Sequence, residues 1–174
     1  GHSADACTLT SAPNYTEAGD YPVYYEITYT YHDTDMVEDG VAFPQLDLLT
    51  PETARAFFAA QSFTAVAEEN GEVVGLYILH PNNEGRCGHI ANASYAVERG
   101  ARDRGAGEAL VRHCLKTAAA LGFRLMQFNA VVKENHRALH LYEKLGFQRI
   151  GEVPGGFLMK DGHYADIVLF YYAL

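Results

Sequence analysis

A chain of 174 residues suffices for one ordinary domain with a real core, and 48% hydrophobic against 20% charged residues excludes a disordered chain. Thirteen Lys and Arg against 22 Asp and Glu leave a net charge of −9, which argues against nucleic acid as the main partner. Phosphate recognition on that scale needs broad cationic surface, although one small phosphate pocket stays compatible. The longest apolar runs, such as Ile167–Leu174, are too short to cross a bilayer, and the polar start lacks a signal-peptide core. No membrane association and a cytoplasmic location are expected. The three cysteines, Cys7, Cys87 and Cys114, are an odd number without CxxC spacing, which fits reduced thiols better than disulfides or a zinc site.

Residues 1–20 show no clear period and are expected to form a tail or leading loop ahead of a single domain over 21–174. From Val23 the chain alternates, with Val23, Tyr25, Ile27, Tyr29 and Tyr31 on one face, which predicts a half-buried strand. Residues 33–49 are irregular. Thr50-Pro51-Glu52 then supplies a cap, a proline at the first helical position and an acid in the first turn, so a helix should follow through Phe57 and Phe58. Asn70-Gly71 between two apolar runs is a two-residue hairpin signal. Pro81–Gly85 reads as a turn and His89–Val97 as the next strand of an antiparallel meander.

After Val97 the grammar changes. Leu110, Val111, Cys114, Leu115, Ala118 and Leu121 recur at helical spacing, with Gly122 as the stop. Leu125–Val132 is nearly continuously apolar, as expected for a parallel strand covered on both faces. Strand, helix and strand in that order make a βαβ crossover. A second helix is predicted from Asn135 to Leu145, ended by Gly146, and a closing antiparallel pair from Arg149–Val153 and Ile167–Leu174, turning around Pro154-Gly155-Gly156. The fold class is therefore α+β, a mixed and mainly antiparallel sheet with one embedded βαβ unit.

Between that strand and that helix stands Arg102-Asp103-Arg104-Gly105-Ala106-Gly107. A helix N-terminus presents unpaired N–H groups and the positive end of a dipole, so anions settle there. The two glycines allow close backbone approach and conformations barred to residues with a Cβ, and the arginines can add charge-assisted hydrogen bonds. A Walker loop would need a Gly-Lys-Ser/Thr ending, and a dinucleotide loop a third glycine early in a parallel sheet; neither is present. A tight turn with no ligand is the bland alternative. The second block is Asn135 with Tyr142, seven residues apart and so on one helical face. On residues alone, Asn135 is a helix cap and Tyr142 a core aromatic.

Arg102-x-x-Gly105-x-Gly107, together with Asn135-x-x-Ala138-x-x-x-Tyr142-x-x-x-Gly146-Phe147, resembles the GNAT superfamily of N-acetyltransferases over about residues 62–174. The resemblance implies a GNAT fold whose βαβ unit binds acetyl-CoA as cosubstrate. It places the pyrophosphate on Arg102, Asp103, Arg104, Gly105, Ala106, Gly107 and Glu108, and pantetheine along the backbone of Tyr95, Ala96 and Val97. Asn135 also faces the coenzyme, and Tyr142 protonates the leaving thiolate after an amine attacks the thioester in a ternary complex. No metal is implied.

Asn92 and Asn129 each interrupt an apolar strand, and a buried amide is costly unless bonded. Structural satisfaction and acceptor binding are both open. The stretch His80–Ala93, with Gln127-Phe128-Asn129 and Ile150-Gly151-Glu152-Val153, resembles fungal acetyltransferases acting on azetidine-2-carboxylate and related proline-like amino acids. That resemblance implies Asn92 and Asn129 as substrate-binding residues and a small amine, an amino acid or proline analogue, as acceptor. A non-catalytic acyl-CoA-sensing protein and an acetyltransferase of protein N-termini or lysines are the alternatives. Glu26, Asp47 and His89 are general-base candidates that no spacing separates, and a homodimer stays open. His136 and His140 are i, i+4, but Arg137 stands where an HExxH motif needs Glu, so no metal site is expected.

Overall fold

Turn chemistry and apolar alternation set most element boundaries. The computed structural model describes residues 8–11, 51–70 and 72–174. Its strands are β1 (Thr8–Ser11), β2 (Phe63–Glu69), β3 (Glu72–Pro81), β4 (Ile90–Val97), β5 (Leu125–Val132), β6 (Gln148–Leu158) and β7 (Tyr164–Ala173). Its helices are α1 (Pro51–Ala59), α2 (Ala106–Ala120) and α3 (His136–Lys144), with 3₁₀ turns at Gly85–Cys87 and Arg99–Ala101. The strand expected from Val23 to Tyr31 lies outside the described residues.

The hydrogen-bonded strand order is β1-β2-β3-β4-β5-β7-β6. β1–β2, β2–β3, β5–β7 and β6–β7 are antiparallel, while β4–β5, joined through α2, is parallel. This is the α+β architecture expected, with one βαβ unit among the described residues. The chain divides into two compact units, Gly1–His80 with Ser94–Cys114, and Pro81–Ala93 with Leu115–Leu174.

In the first unit, Asn70 adopts a left-handed φ of 55° and closes the β2–β3 hairpin, with Glu69 opposite Glu72. Val66, Leu76, Ile78 and Ala96 form a buried cluster against which Phe57, Phe58 and Val73 pack. Gly75 permits the tightest approach. A Cβ there would lie 2.8 Å from the Ala96 carbonyl oxygen and 2.9 Å from Leu110 Cδ1.

In the second unit, Met126, Val132, Val168 and Phe170 are fully buried, and Phe128 and Phe147 stack with centroids 4.8 Å apart. The parallel β4–β5 ladder covers Ile90↔Leu125 and Ala91↔Met126. Gly122, at φ 90°, ends α2, and the following Phe123 N–H bonds back to the Ala118 carbonyl.

Four expectations need correction. Thr8–Ser11, read as part of a leading loop, is a strand paired from Thr8↔Glu68 to Ser11↔Ala65. Four residues are too few for a period of two to register, so the ladder decides. β5 is not covered on both faces throughout, because Asn129 and Ala130 are exposed where a bulge shifts the β5–β7 register between Phe128 and Val131. The β6–β7 turn falls at Met159–His163, with Gly162 at φ 89°, and not at Pro154-Gly155-Gly156. Those residues form an irregular stretch inside β6, an edge strand where a residue without an N–H is tolerated. Leu121, placed on the apolar stripe of α2, lies past the helix end and is exposed.

Candidate functional site

The Arg102–Gly107 loop belongs to the first unit. The end of β4 is tied down where the Glu98 N–H donates to the Val74 carbonyl at 3.0 Å, and Ala101 of the 3₁₀ turn is buried. The backbone then turns left-handed twice, at Asp103 (φ 63°) and Gly105 (φ 93°). α2 begins at Ala106, two residues before the expected Glu108, and the Ala109 N–H donates to the Gly105 carbonyl at 3.0 Å. The N–H groups of Ala106, Gly107 and Glu108 therefore precede the intrahelical ladder, at the positive end of a 15-residue helix dipole. Left-handed turns leading into such an end make an anion-binding concavity. The two glycines do different work, contrary to the shared conformational role expected of them. Gly105 supplies the left-handed turn, whereas Gly107 lies inside the first helical turn without a positive φ.

The arginines are also unequal. Arg104 Nη2 lies 2.8 Å from Glu69 Oε2 on β2, whereas Arg102 precedes the first left-handed turn with φ −63° and ψ 151°. Glu108 forms an i, i+4 pair with Arg112 at 2.8 Å. Upstream, Ala96 is buried beneath Gly75, and Tyr95 and Val97 are half-buried. The Tyr95 ring sits 5.9 Å from that of Tyr77, whose hydroxyl meets His113 Nδ1 at 2.9 Å. Burial pushes the Cys114 thiol up to about 12, a hydrogen bond with Tyr95 pulling the other way, so this thiol is not a nucleophile.

The remaining candidates lie in the second unit. Asn135 caps α3, its Oδ1 accepting the Ala138 N–H at 3.1 Å. Tyr142 is half-buried, its ring 4.6 Å from Phe128, 5.4 Å from Phe147 and 5.9 Å from Phe170. Three aromatic neighbours fix that ring and hence the direction of its hydroxyl.

Asn92 and Asn129 come together on a third asparagine. Asn82 Oδ1 accepts from Asn92 Nδ2 at 3.0 Å and also from Asn129 Nδ2, while Asn129 Oδ1 accepts from Gln127 Nε2 at 2.9 Å. Ala91 and Met126 are paired and buried, so Asn92, Gln127 and Asn129 occupy the opposite sheet face. Asn82 and Gln127 were not singled out from the sequence. Asn82 read as a turn residue, though Gln127 is two residues from Asn129 and must share its face.

Glu26 and Asp47 lie outside the described residues, and His89 is exposed. His136 and His140 are exposed as well, and Cys87 is an exposed free thiol. Among the described residues no group of three or more His, Cys, Asp or Glu is placed to hold a metal ion, and no helix is long and apolar enough to cross a membrane.

A mixed sheet with this strand order, one βαβ unit and a left-handed loop at the following helix is the GNAT fold. The model of the acetyltransferase (GNAT) family matches residues 24–147, and the chain belongs to that family of N-acetyltransferases. A GCN5-related N-acetyltransferase from Kribbella flavida is 33% identical and superposes with a TM-score of 0.79 over 99% of this chain and 100% of its own. N-acetyltransferase aca1 of Schizosaccharomyces pombe, a fungal relative, is 29% identical over 83% of this chain and 78% of its own. The protein yncA of Salmonella typhimurium, solved with acetyl-CoA, shares the fold at 20% identity, with a TM-score of 0.79 over 97% of this chain and 94% of its own.

Proposed function

We propose that this chain transfers the acetyl group of acetyl-CoA to the amine of a small amino acid or proline analogue, by direct attack in a ternary complex. The observation that carries this reading is the pair of left-handed turns at Asp103 and Gly105 leading into the first N–H groups of α2, ahead of its intrahelical ladder, in a chain of the GNAT family. Those amides, with Arg102 and Arg104, bind the pyrophosphate; Asn135 is a further coenzyme-binding residue, and the backbone of Tyr95, Ala96 and Val97 binds pantetheine. The acetyl-CoA complex of the yncA relative supports the choice of cosubstrate.

Asn92 and Asn129 bind the acceptor. Their carboxamides offer donors and acceptors without charge, which suits a small polar molecule held by hydrogen bonds. The amine lone pair attacks the thioester carbonyl carbon. A C–N bond forms, the C–S bond breaks, and Tyr142 gives its phenolic proton to the departing thiolate. The proton shed by nitrogen restores the tyrosine through solvent. Holding amine and thioester together supplies much of the acceleration. Among the described residues Cys87 and Cys114 are free thiols, which suits the cytoplasmic setting that goes with this reading.

The test is CoA release, followed by a thiol reagent, against amino acids including azetidine-2-carboxylate and proline, with polyamines and N-terminal peptides alongside. Amino acids should be turned over fastest. In parallel, acetyl-CoA at about 100 times its Kd should stabilise the fold by about 2.7 kcal/mol. No thermal shift at millimolar acetyl-CoA overturns the reading. A shift without any turnover points instead to an acyl-CoA sensor.

A further inference from the structure

Asn82 opens the β3–β4 connection, with its own N–H donating to the Ile90 carbonyl at 2.7 Å, so its backbone is anchored to β4 two residues before Asn92. Its carboxamide oxygen has two lone pairs, and the two bonds from Asn92 Nδ2 and Asn129 Nδ2 use both. Gln127 Nε2 then donates to Asn129 Oδ1, giving the chain of amides a single direction, Gln127 to Asn129 to Asn82, with Asn92 donating from the other side.

A terminal carboxamide presents an oxygen at one end and two N–H donors at the other, and rotation by half a turn exchanges them. Asn92 and Asn129 could each face a ligand either way round unless something else chooses. Asn82 makes the choice for Asn92, and makes it for Asn129 together with Gln127. While its oxygen is the shared acceptor, each Nδ2 keeps one N–H toward Asn82, and the carbonyl of each is set by that bond.

We infer that Asn82 is a positioning residue for the acceptor, setting the polarity with which Asn92 and Asn129 meet it. The inference rests on the reading above that those two asparagines bind the acceptor, and it adds a residue that touches neither coenzyme nor reacting atoms. Three carboxamides ordered by one oxygen form a preorganised surface, so the ordering cost is met before the acceptor arrives.

The experiment is steady-state kinetics on the full chain with azetidine-2-carboxylate, or, if that is not turned over, the panel amino acid giving the fastest CoA release. Acceptor and acetyl-CoA are varied separately. Asn82→Ala should raise the acceptor KM about tenfold, the scale of two neutral hydrogen bonds, and leave the acetyl-CoA KM unchanged. Asn82→Asp keeps an oxygen that accepts but cannot donate in its ionised form, and should return the acceptor KM to within about threefold of the parent. Asn82→Ala added to Asn129→Ala should cost less than the sum of the two alone, because the partners share one network.

The inference is overturned if Asn82→Ala leaves the acceptor KM unchanged, if it raises both KM values equally as a merely structural loss would, or if Asn82→Asp is as poor as Asn82→Ala. Failure of the underlying reading looks different: Asn92→Ala and Asn129→Ala would both leave the acceptor KM unchanged, or no amino acid would be turned over. That result removes the role of Asn82 with it. If Asn82→Ala does not fold, the parent-like kinetics expected of Asn82→Asp decide the matter.

Discussion

Arg104 of the loop before α2 is held 2.8 Å from Glu69 on β2, so its guanidinium already has a carboxylate partner. The pair is partly exposed, at 46% and 23% for the two side chains, and such pairs contribute at most about 1 kcal/mol. Glu69 and a pyrophosphate would compete for the same guanidinium. Glu69→Gln should therefore tighten acetyl-CoA binding by up to about fivefold at low salt, with a smaller gain as salt screens the charges. Calorimetric titration at two salt concentrations checks this. Unchanged affinity at low salt would remove Arg104 from pyrophosphate binding.

Tyr142→Phe separates the phenol from its ring. The ring is kept by Phe128, Phe147 and Phe170, so thermal stability and acetyl-CoA affinity should be close to those of the parent. Turnover should fall about 100-fold, the usual weight of a positioned acid. Single-turnover rates with acetyl-CoA binding measured alongside give the comparison. Undiminished turnover would leave Tyr142 as a packing residue.

Gly75→Ala tests the packing under the loop. The new methyl would stand 2.8 Å from the Ala96 carbonyl oxygen, a backbone atom that cannot rotate away, and 2.9 Å from Leu110 Cδ1. Overpacking of this kind costs about 1–3 kcal/mol. Urea unfolding should show a lower midpoint with an unchanged slope. A neutral result would mean that β4 and α2 yield more easily than close packing allows.

Cys114 predicts an alkaline weakness. Burial raises its thiol from an ordinary 9.0 to about 12, so the folded chain keeps the proton more tightly than the unfolded one. Stability is therefore complete below pH 9 and falls as the pH climbs toward 12, by up to about 1.4 kcal/mol for each unit. Urea unfolding at pH 7 and pH 10 should show a larger loss in the parent than in Cys114→Ala. At pH 8, iodoacetamide should label the exposed Cys87 and spare Cys114 until denaturant is added.

Much of this fold is local grammar. Pro51 opening α1, Asn70 in the β2–β3 hairpin, Gly122 ending α2 and Asn135 capping α3 each act through their own neighbours, and each is found where the sequence placed it. The loop from Arg102 to Gly107 was legible for the same reason: a strand, a glycine and a helix start are consecutive in the chain. Even there, only backbone dihedrals assign the left-handed turns to Asp103 and Gly105 and put Gly107 inside the helix.

What the chain's order could not reveal is whatever depends on residues far apart. The β6–β7 turn went to Met159–His163 over the more conspicuous Pro154-Gly155-Gly156, because pairing with β7 continues past an irregular stretch that an edge strand tolerates. Asn92 and Asn129 stood out as amides in apolar strands. Their meeting on Asn82, 10 residues from one and 47 from the other, was decided by the tertiary fold. The sequence determined the family, the fold class and the helix start suited to an anion, since these follow from contiguous motifs and short-range backbone preferences. Only the tertiary structure decided which oxygen both asparagines share and which carboxylate Arg104 meets. Hydrogen bonds and ion pairs act over about 3 Å, and only the folded sheet brings these side chains within that reach.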